Sequence, residues 1–259
     1  MPKKKSVLSE ARAWATRRKL FGTQAFLRYV MLRFAENLNQ VSDDFVFKGG
    51  NLLWTYIDTP RSTTDLDLAT LKTNSHHLVR ETLEEACAYD QEVRYTLIAF
   101  KEINQDGKLA AAVTIGYATE QGASNQFEVD VVYALNTDAR DIDSPIHSEI
   151  KIRSATIENI IADKLSASHR FKSGNTRMKD YDDLWRIALS KTQIDGDKLK
   201  DLLKLKSVDG DLDPSWIDAK MEKAWESHRT RYSDLPISIE DAFSEINLWL
   251  KHLKIKTKK

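Results

Sequence analysis

Hydrophobic residues recur with two different periods along this chain of 259 residues. A spacing of three to four, typical of amphipathic helices, runs through residues 9–40, where Gly22 divides the segment into two predicted helices. A spacing of two, typical of half-buried strands, appears in short runs between residues 45 and 133. From residue 156 onward the pattern is helical again. The sequence therefore predicts a sheet between two helical regions.

The middle region predicts strands and helices in alternation. Its elements are a strand at 45–47, a helix at 51–57, a strand at 65–68, a helix at 75–89, and strands at 93–100, 109–117 and 127–133. A turn at Gln105-Asp106-Gly107 joins the first two of these last three strands. Residues 136–150 are polar and predict a loop, which we interpret as a domain boundary.

Only helices are predicted beyond this boundary. They lie at 156–171, 177–190, 197–205, 214–229 and 238–253, with Asp213 as the cap of the fourth. The predicted class is therefore α/β (α+β), a mixed sheet flanked by helices and followed by a C-terminal helical domain. We expect three parts: N-terminal basic helices that pack on the core (1–40), the core itself (41–150) and the helical domain (151–259).

Composition limits the compartment. The single cysteine, Cys87, excludes an internal disulfide and a thiolate zinc site, so a reducing, cytoplasmic location is expected. The basic start Met1–Lys5 is not followed by an apolar run, and no stretch approaches the ~20 apolar residues of a membrane helix. We therefore expect neither a signal peptide nor a membrane partner.

The net charge of zero hides an uneven distribution. Residues 1–40 carry nine Lys and Arg against two Asp and Glu, a net +7, whereas residues 41–150 carry eight against nineteen, a net −11. The remaining blocks, 151–195 and 196–259, carry +3 and +1. A neutral total therefore does not exclude a polyanionic partner.

A phosphate-binding element is predicted at Lys48-Gly49-Gly50-Asn51. Two glycines between a strand and a helix let the backbone approach a ligand closely, and the N–H groups at the helix start suit a phosphate. The alternative is a plain turn, because Gly-Gly pairs are common in turns.

Three carboxylates form the second candidate. Asp65 and Asp67 lie two apart on a strand, so both leave the same face, and Asp130 lies on the polar face of a later strand together with Glu128. If the two strands are neighbours, the three Asp carboxylates converge, and hard oxygen ligands suit Mg²⁺. The alternatives are solvated loop charges and an edge strand with its polar side in water.

The helical region carries a third cluster. Lys164 lies among small and apolar residues of one predicted helix, and Asp180 and Asp183 share a face of the next. A buried lysine suits an anionic ligand. The alternative is a structural network in which Lys164 or Arg170 bonds Asp180 between the two helices.

Taken in this order, the three motifs resemble the AbiEii/AbiGii-type nucleotidyltransferase toxins, the enzyme halves of bacterial toxin–antitoxin and phage-defence pairs. The resemblance rests on Lys48-Gly49-Gly50, on Arg61 to Leu68 with Thr63 as the hydroxyl residue, on Asp130, and on Lys164–Ala167 with Arg177–Leu184. It spans residues 10 to about 190. Asp182 departs from the family pattern, which usually has an aromatic or apolar residue there. The implied fold is a nucleotidyltransferase core with a second, helical domain.

The resemblance also implies site roles. Asp65 and Asp67 would hold two Mg²⁺ ions, with Mn²⁺ as a substitute, and Asp130 would complete the metal site and help deprotonate the acceptor hydroxyl. The implied nucleotide-binding residues, which would hold the triphosphate of an NTP, are Lys48, Gly49, Gly50, Asn51, Arg61, Thr63 and Lys164. Asp180 or Asp183 would position Lys164 or the acceptor.

The implied activity is transfer of NMP to an acceptor hydroxyl, with RNA such as a tRNA 3′ end as the leading acceptor and growth inhibition as the result. A cognate antitoxin encoded nearby is the implied partner. The basic residues Lys3, Lys4, Lys5, Arg12, Arg17, Arg18 and Lys19 suit RNA phosphates, an antitoxin contact or a solvated face. A protein acceptor and a non-catalytic nucleotide-binding scaffold are the alternative functions.

Overall fold

The computed structural model describes residues 6–20, 22–57, 59, 63–105, 107–232, 235 and 237–255. The chain divides into two compact units, one containing residues 1–55 and 62–155 and the other residues 56–61 and 156–259. Each unit has its own set of buried hydrophobic side chains.

Within the described residues of the first unit, seven strands form one mixed sheet. They are β1 (Phe45–Lys48), β2 (Asp65–Thr70), β3 (Val93–Gln105), β4 (Lys108–Thr119), β5 (Ser124–Val132), β6 (Ala139–Asp143) and β7 (Lys151–Ala155). Their order across the sheet is β3-β4-β5-β2-β1-β7-β6. The β2–β5 and β1–β7 pairs are parallel, and the other neighbours are antiparallel. The α/β class predicted from the sequence is confirmed.

Alternation of apolar and polar residues along 65–68 and 127–131 fixes the faces of β2 and β5. On β2, Leu66 and Leu68 are almost fully buried while Asp65 and Asp67 are half-buried, and on β5 every second residue from Phe127 to Val131 is buried. A slip of one residue would move these apolar side chains to the opposite face, so their burial specifies the register. The register in turn positions the carboxylates.

Helices α2 (Gly22–Val41) and α4 (His76–Tyr89) pack on strands of the sheet, and α1 (Val7–Arg17) packs on α2. Helix α3 (Gly49–Tyr56) follows β1 directly. The largely buried α2 contacts α1, α4, β1 and β7. The predicted division of the N-terminal helical segment at Gly22 is confirmed, and Gly22 has a left-handed φ of 77°.

The predicted loop over residues 136–150 is wrong in one part, because β6 lies inside it. Both Asp141 and Asp143 on β6 are exposed, so this edge strand lacks the apolar alternation by which strands are recognised in a sequence. Its position comes instead from antiparallel pairing with β7. In the turn predicted between β3 and β4, Asp106 lies outside the described residues, and Gly107 has a φ of 77°.

The described part of the second unit is helical. Its helices are α5 (Ile157–Phe171), α6 (Met178–Leu189), α7 (Gly196–Leu205), α8 (Ala219–Arg229) and α9 (Ile239–His252). Helix α6 contacts α5, α8 and α9, and α5 contacts α7. Among the residues that the structure describes, no helix combines the length and apolarity needed to cross a membrane. The division of the chain into three parts stays a prediction.

One predicted helix starts later than expected. Asp213 does act as a cap, since its side chain accepts a hydrogen bond from the Ser215 amide, but it caps only a short 3-10 turn at Pro214–Trp216. A second cap, Asp218, accepts from the Met221 amide and begins α8. Because a capping residue has non-helical backbone angles, Asp218 separates the two elements.

Candidate active site

Parallel pairing of β2 with β5 brings three carboxylates together. Asp67 lies beside Asp130 in the register, and ligand oxygens of Asp65, Asp67 and Asp130 all lie within 4.8 Å of one another. The first two are half-buried and Asp130 is exposed. The sequence predicted that the three carboxylates converge if the two strands are neighbours, and the structure confirms both the pairing and the convergence.

These three residues fit a divalent metal by their donor chemistry. Carboxylates this close repel one another, and a cation between them removes the repulsion. An all-oxygen set of ligands suits Mg²⁺ or Mn²⁺ in preference to softer metals. Three such residues are enough to hold one or two ions, the arrangement used for attack on phosphorus.

The Gly-Gly turn lies directly against this carboxylate group. Gly49 has a left-handed φ of 74°, and a Cβ built on it would lie 1.8 Å from Oδ2 of Asp67. Only glycine therefore fits, because any side chain would occupy the space of the Asp67 carboxylate. The backbone that begins α3 therefore lies directly beside the Asp67 carboxylate. Lys48 is opposite Asp67 in the β1–β2 register.

Two predicted phosphate-binding residues contact Asp65 in the structure. The Thr63 hydroxyl donates to Oδ1 of Asp65. Asn51 is only 1% exposed, and its side-chain amide donates to the Asp65 carbonyl oxygen at a distance of 2.7 Å. The Asn51 side chain thus ties α3 to the start of β2, and the role of Asn51 at a triphosphate stays a prediction.

Some of the basic and phosphate-binding residues predicted from the sequence lie outside the described part of the chain. Arg61 lies outside the described residues, as do Lys3, Lys4 and Lys5 of the basic N-terminal segment. Lys48 and Gly50 are half-exposed. Sequence reasoning noted the shared face of Glu128 and Asp130 but assigned no role to Glu128, which lies beside Asp65 in the β2–β5 register. The signal for it was the alternation along β5.

The second unit holds Lys164 between two carboxylates. Its ammonium nitrogen lies 3.0 Å from Oδ1 of Asp180 and 2.6 Å from Oδ2 of Asp183, and the side chains of both acids are 5% exposed or less. The Arg177 guanidinium donates to the other oxygen of Asp180 over 3.0 Å. Burial alone would raise the pKa of Asp180, but the charges of Lys164 and Arg177 outweigh burial and lower it.

The structural network weighed for this cluster is therefore present, with Lys164 as its cation. Such a network fixes the position of the Lys164 ammonium and does not exclude a function for it. Its proposed role at a phosphate stays a prediction.

Two solved structures from Helicobacter pylori are similar to this chain. One is JHP933, with 18% sequence identity and a TM-score of 0.56 over 90% of this chain and 93% of that chain. The other is a candidate nucleotidyltransferase, also with 18% identity and a TM-score of 0.56, over 90% of this chain and 96% of that chain. At this level of identity the likeness shows a shared fold. No curated protein matches the chain.

The family comparison is more specific than the structural one. Residues 33–246 match the family described as nucleotidyl transferase AbiEii toxin, type IV toxin–antitoxin system. The matched span includes the Gly-Gly turn, the three carboxylates and the Lys164 cluster, which are the residues that carried the resemblance in the sequence. The chain therefore belongs to the AbiEii family of nucleotidyltransferase toxins.

Proposed function

We propose that this protein is a Mg²⁺-dependent toxin that transfers NMP from an NTP to a hydroxyl of RNA, with a tRNA 3′ end as the leading acceptor. The observation that carries the proposal is the contact of Gly49 with Asp67, which is itself beside Asp130. It joins a backbone suited to phosphates to carboxylates suited to metal ions. A scaffold without catalysis would have no reason to keep three mutually repelling charges at that turn.

The residues divide the work as follows. Asp65, Asp67 and Asp130 would hold two Mg²⁺ ions, which supply Lewis-acid stabilisation of the charge that develops on the phosphoryl group. Gly49 and Gly50 would present backbone amides to the triphosphate, and Thr63 holds Asp65 in position through its hydroxyl. In the second unit, Asp180 and Asp183 hold the ammonium of Lys164, which would neutralise phosphate charge.

The reaction needs one proton acceptor. The acceptor hydroxyl oxygen forms the new bond to the α-phosphorus, and the bond from that phosphorus to the bridging oxygen breaks, so that pyrophosphate leaves with the bonding electrons. Asp130 is the exposed member of the three carboxylates and would take the hydroxyl proton.

Exposed basic residues favour RNA as the acceptor. Arg12, Arg17, Arg18 and Lys19 are all exposed on or just after α1. Phosphate contacts from such residues supply most of the non-specific affinity for nucleic acids. A cognate antitoxin is the further partner we propose, and the bacterial cytoplasm, where tRNA is found, is the proposed location.

Label transfer tests the proposal. Purified protein is incubated with each labelled NTP, Mg²⁺ and total tRNA, and the products are separated by size. We expect label on tRNA with the wild-type protein and none with Asp65→Ala. The absence of label from tRNA with all four NTPs would overturn the RNA proposal, and label on protein bands instead would identify a protein acceptor.

A further inference from the structure

A fourth carboxylate lies beside the three that are proposed to bind metal. Glu128 is the neighbour of Asp65 across the β2–β5 pair and is two residues from Asp130 on β5. Neighbouring strands are about 4.8 Å apart and two residues along a strand span roughly 6.6 Å, so Glu128 adjoins two of the three ligands. It is exposed and leaves the same face of the sheet.

The Glu128 carboxylate is held in place from the far side. Thr114 lies opposite it on β4, and the Thr114 hydroxyl oxygen is 3.0 Å from one carboxylate oxygen and 3.1 Å from the other. One hydroxyl hydrogen shared between two oxygens restrains the group, and each oxygen keeps acceptor capacity for a ligand. Glu128 is therefore a fixed acceptor of hydrogen bonds on an open face.

The strand order places Glu128 on the side of the site from which an acceptor would arrive. Gly49 and Gly50 follow β1, whereas Glu128 is on β5, and β2 with its two aspartates runs between them. In-line transfer puts the attacking and leaving oxygens on opposite sides of the phosphorus. If pyrophosphate leaves toward the glycines, the attacking hydroxyl comes from the β5 side.

A carboxylate at this position selects for hydroxyl groups. It repels phosphates but accepts hydrogen bonds from neutral donors, and an acidic side chain on a ribose 2′-hydroxyl is a recurrent mode of ribose recognition. The 2′- and 3′-hydroxyls of a terminal ribonucleotide are adjacent, so a carboxylate that accepts a hydrogen bond from the 2′-hydroxyl lies next to the reacting 3′-hydroxyl.

We propose that Glu128, positioned by Thr114, recognises the vicinal diol of the terminal ribonucleotide of the acceptor. This inference rests on the proposed transfer to RNA. The 2′-hydroxyl donates to Glu128, which places the 3′-oxygen against the α-phosphorus. That oxygen forms the new bond, pyrophosphate leaves with the electrons of the broken bond, and the 3′ proton passes to Asp130.

The test compares two acceptor RNAs that differ in one oxygen. Both carry a 3′-hydroxyl, and one has 2′-deoxyribose in its last nucleotide. We expect the wild-type protein to prefer the all-ribose RNA about 10-fold to 100-fold in kcat/KM, the range for a hydrogen bond to a charged group. Glu128→Ala should reduce this preference to about 1 through loss of activity on the all-ribose RNA, and Glu128→Gln should reduce it partly.

Controls separate the possible failures. Glu120→Ala, which removes an exposed glutamate from the β4–β5 turn, should keep the preference. An undiminished preference in Glu128→Ala would overturn the role of Glu128 alone. Wild-type silence on both RNAs would overturn the proposed transfer to RNA and this inference together. If Glu128→Ala instead loses discrimination between an NTP and its 2′-deoxy counterpart, the recognised diol belongs to the donor and the assignment to the acceptor is wrong.

Discussion

At Gly49 one residue determines both a backbone conformation and the space around a carboxylate. Its φ of 74° is strained for any residue with a Cβ, and the position of that Cβ is already filled by Asp67. The sequence shows that a glycine stands after a strand, which is equally typical of an ordinary turn. The structure distinguishes Gly49 from a glycine in an ordinary turn, because an ordinary turn requires only the left-handed φ and leaves the position of a Cβ empty.

Gly49→Ala therefore tests the contact at the residue scale. We expect at least a roughly 100-fold loss of label transfer, since a carboxylate displaced by about 1 Å costs that much in positioned catalysis. Gly122→Ala is the matched control, because Gly122 has a φ of 80° but no atom within 4 Å of a built Cβ. It should cost about 1–2 kcal/mol of stability and keep full specific activity. Equal activities of the two variants would contradict the contact.

Asp182 shows how a residue that departs from the family pattern is accommodated. Asp182 is fully buried, and its carboxylate accepts hydrogen bonds from Nε of Arg186 at 2.5 Å and from Nε2 of His228 at 2.8 Å. A buried carboxylate is tolerated when it is paired and hydrogen-bonded. The sequence shows the acid and its i,i+4 partner Arg186, but it cannot show the second partner, because His228 lies 46 positions away.

At the scale of elements, the Lys164 cluster joins α5 to α6. Lys164→Ala would remove the ammonium that two buried carboxylates share, so that Asp180 keeps only the Arg177 contact and Asp183 loses Lys164. We therefore expect a loss of about 3–5 kcal/mol in the free energy of urea unfolding of the whole chain at pH 7. Lys206→Ala is the control, since Lys206 pairs with the partly exposed Asp163 at a distance of 2.7 Å. This substitution should lower the free energy of unfolding by no more than about 1 kcal/mol. Similar losses in the two variants would contradict the structural role.

Acid should remove part of this stabilisation. The folded pKa of Asp180 is lowered, so its contribution is present above the unfolded pKa of an aspartate and is lost as the pH falls through the folded value. The difference in stability between the wild type and Lys164→Ala should accordingly shrink in strongly acidic buffer. Circular dichroism melts at a series of pH values measure it, and a difference independent of pH would contradict the assignment.

For the whole molecule, the charges that sum to zero are not distributed evenly. The −11 of residues 41–150 includes the three carboxylates that meet at β2 and β5. A ligand that binds only the folded protein raises its stability by mass action. We therefore expect Mg²⁺ or Mn²⁺ to raise the melting temperature by a few degrees over that in EDTA, and EDTA to abolish label transfer.

Asp65→Asn tests both the repulsion among the three carboxylates and their binding of a metal ion. The asparagine oxygen can still accept the hydrogen bond from Thr63, but one of three like charges is gone. We expect a higher melting temperature than that of the wild type in EDTA and a smaller rise on addition of Mn²⁺. Asp141→Asn, which changes an exposed acid on β6, should match the wild type in both measurements. A full Mn²⁺ response in Asp65→Asn would contradict the metal site.

The sequence by itself determined the element types and the faces of the central strands. Alternation along 65–68 and 127–133 and helical spacing elsewhere are local signals, because each residue's direction follows from its position in its own element. The same signal was absent from β6, whose faces are mostly polar, and β6 was accordingly missed.

Only the tertiary structure decided which elements are neighbours. Periodicity places Asp67 and Asp130 each on a polar face, but the pairing that makes them adjacent joins segments 63 positions apart and depends on how the buried residues of the whole sheet pack. The same holds for the carboxylates that hold Lys164 and for Glu128 beside Asp65. A face is a property of one segment, whereas a site is a property of contacts between segments, and those contacts are set by packing.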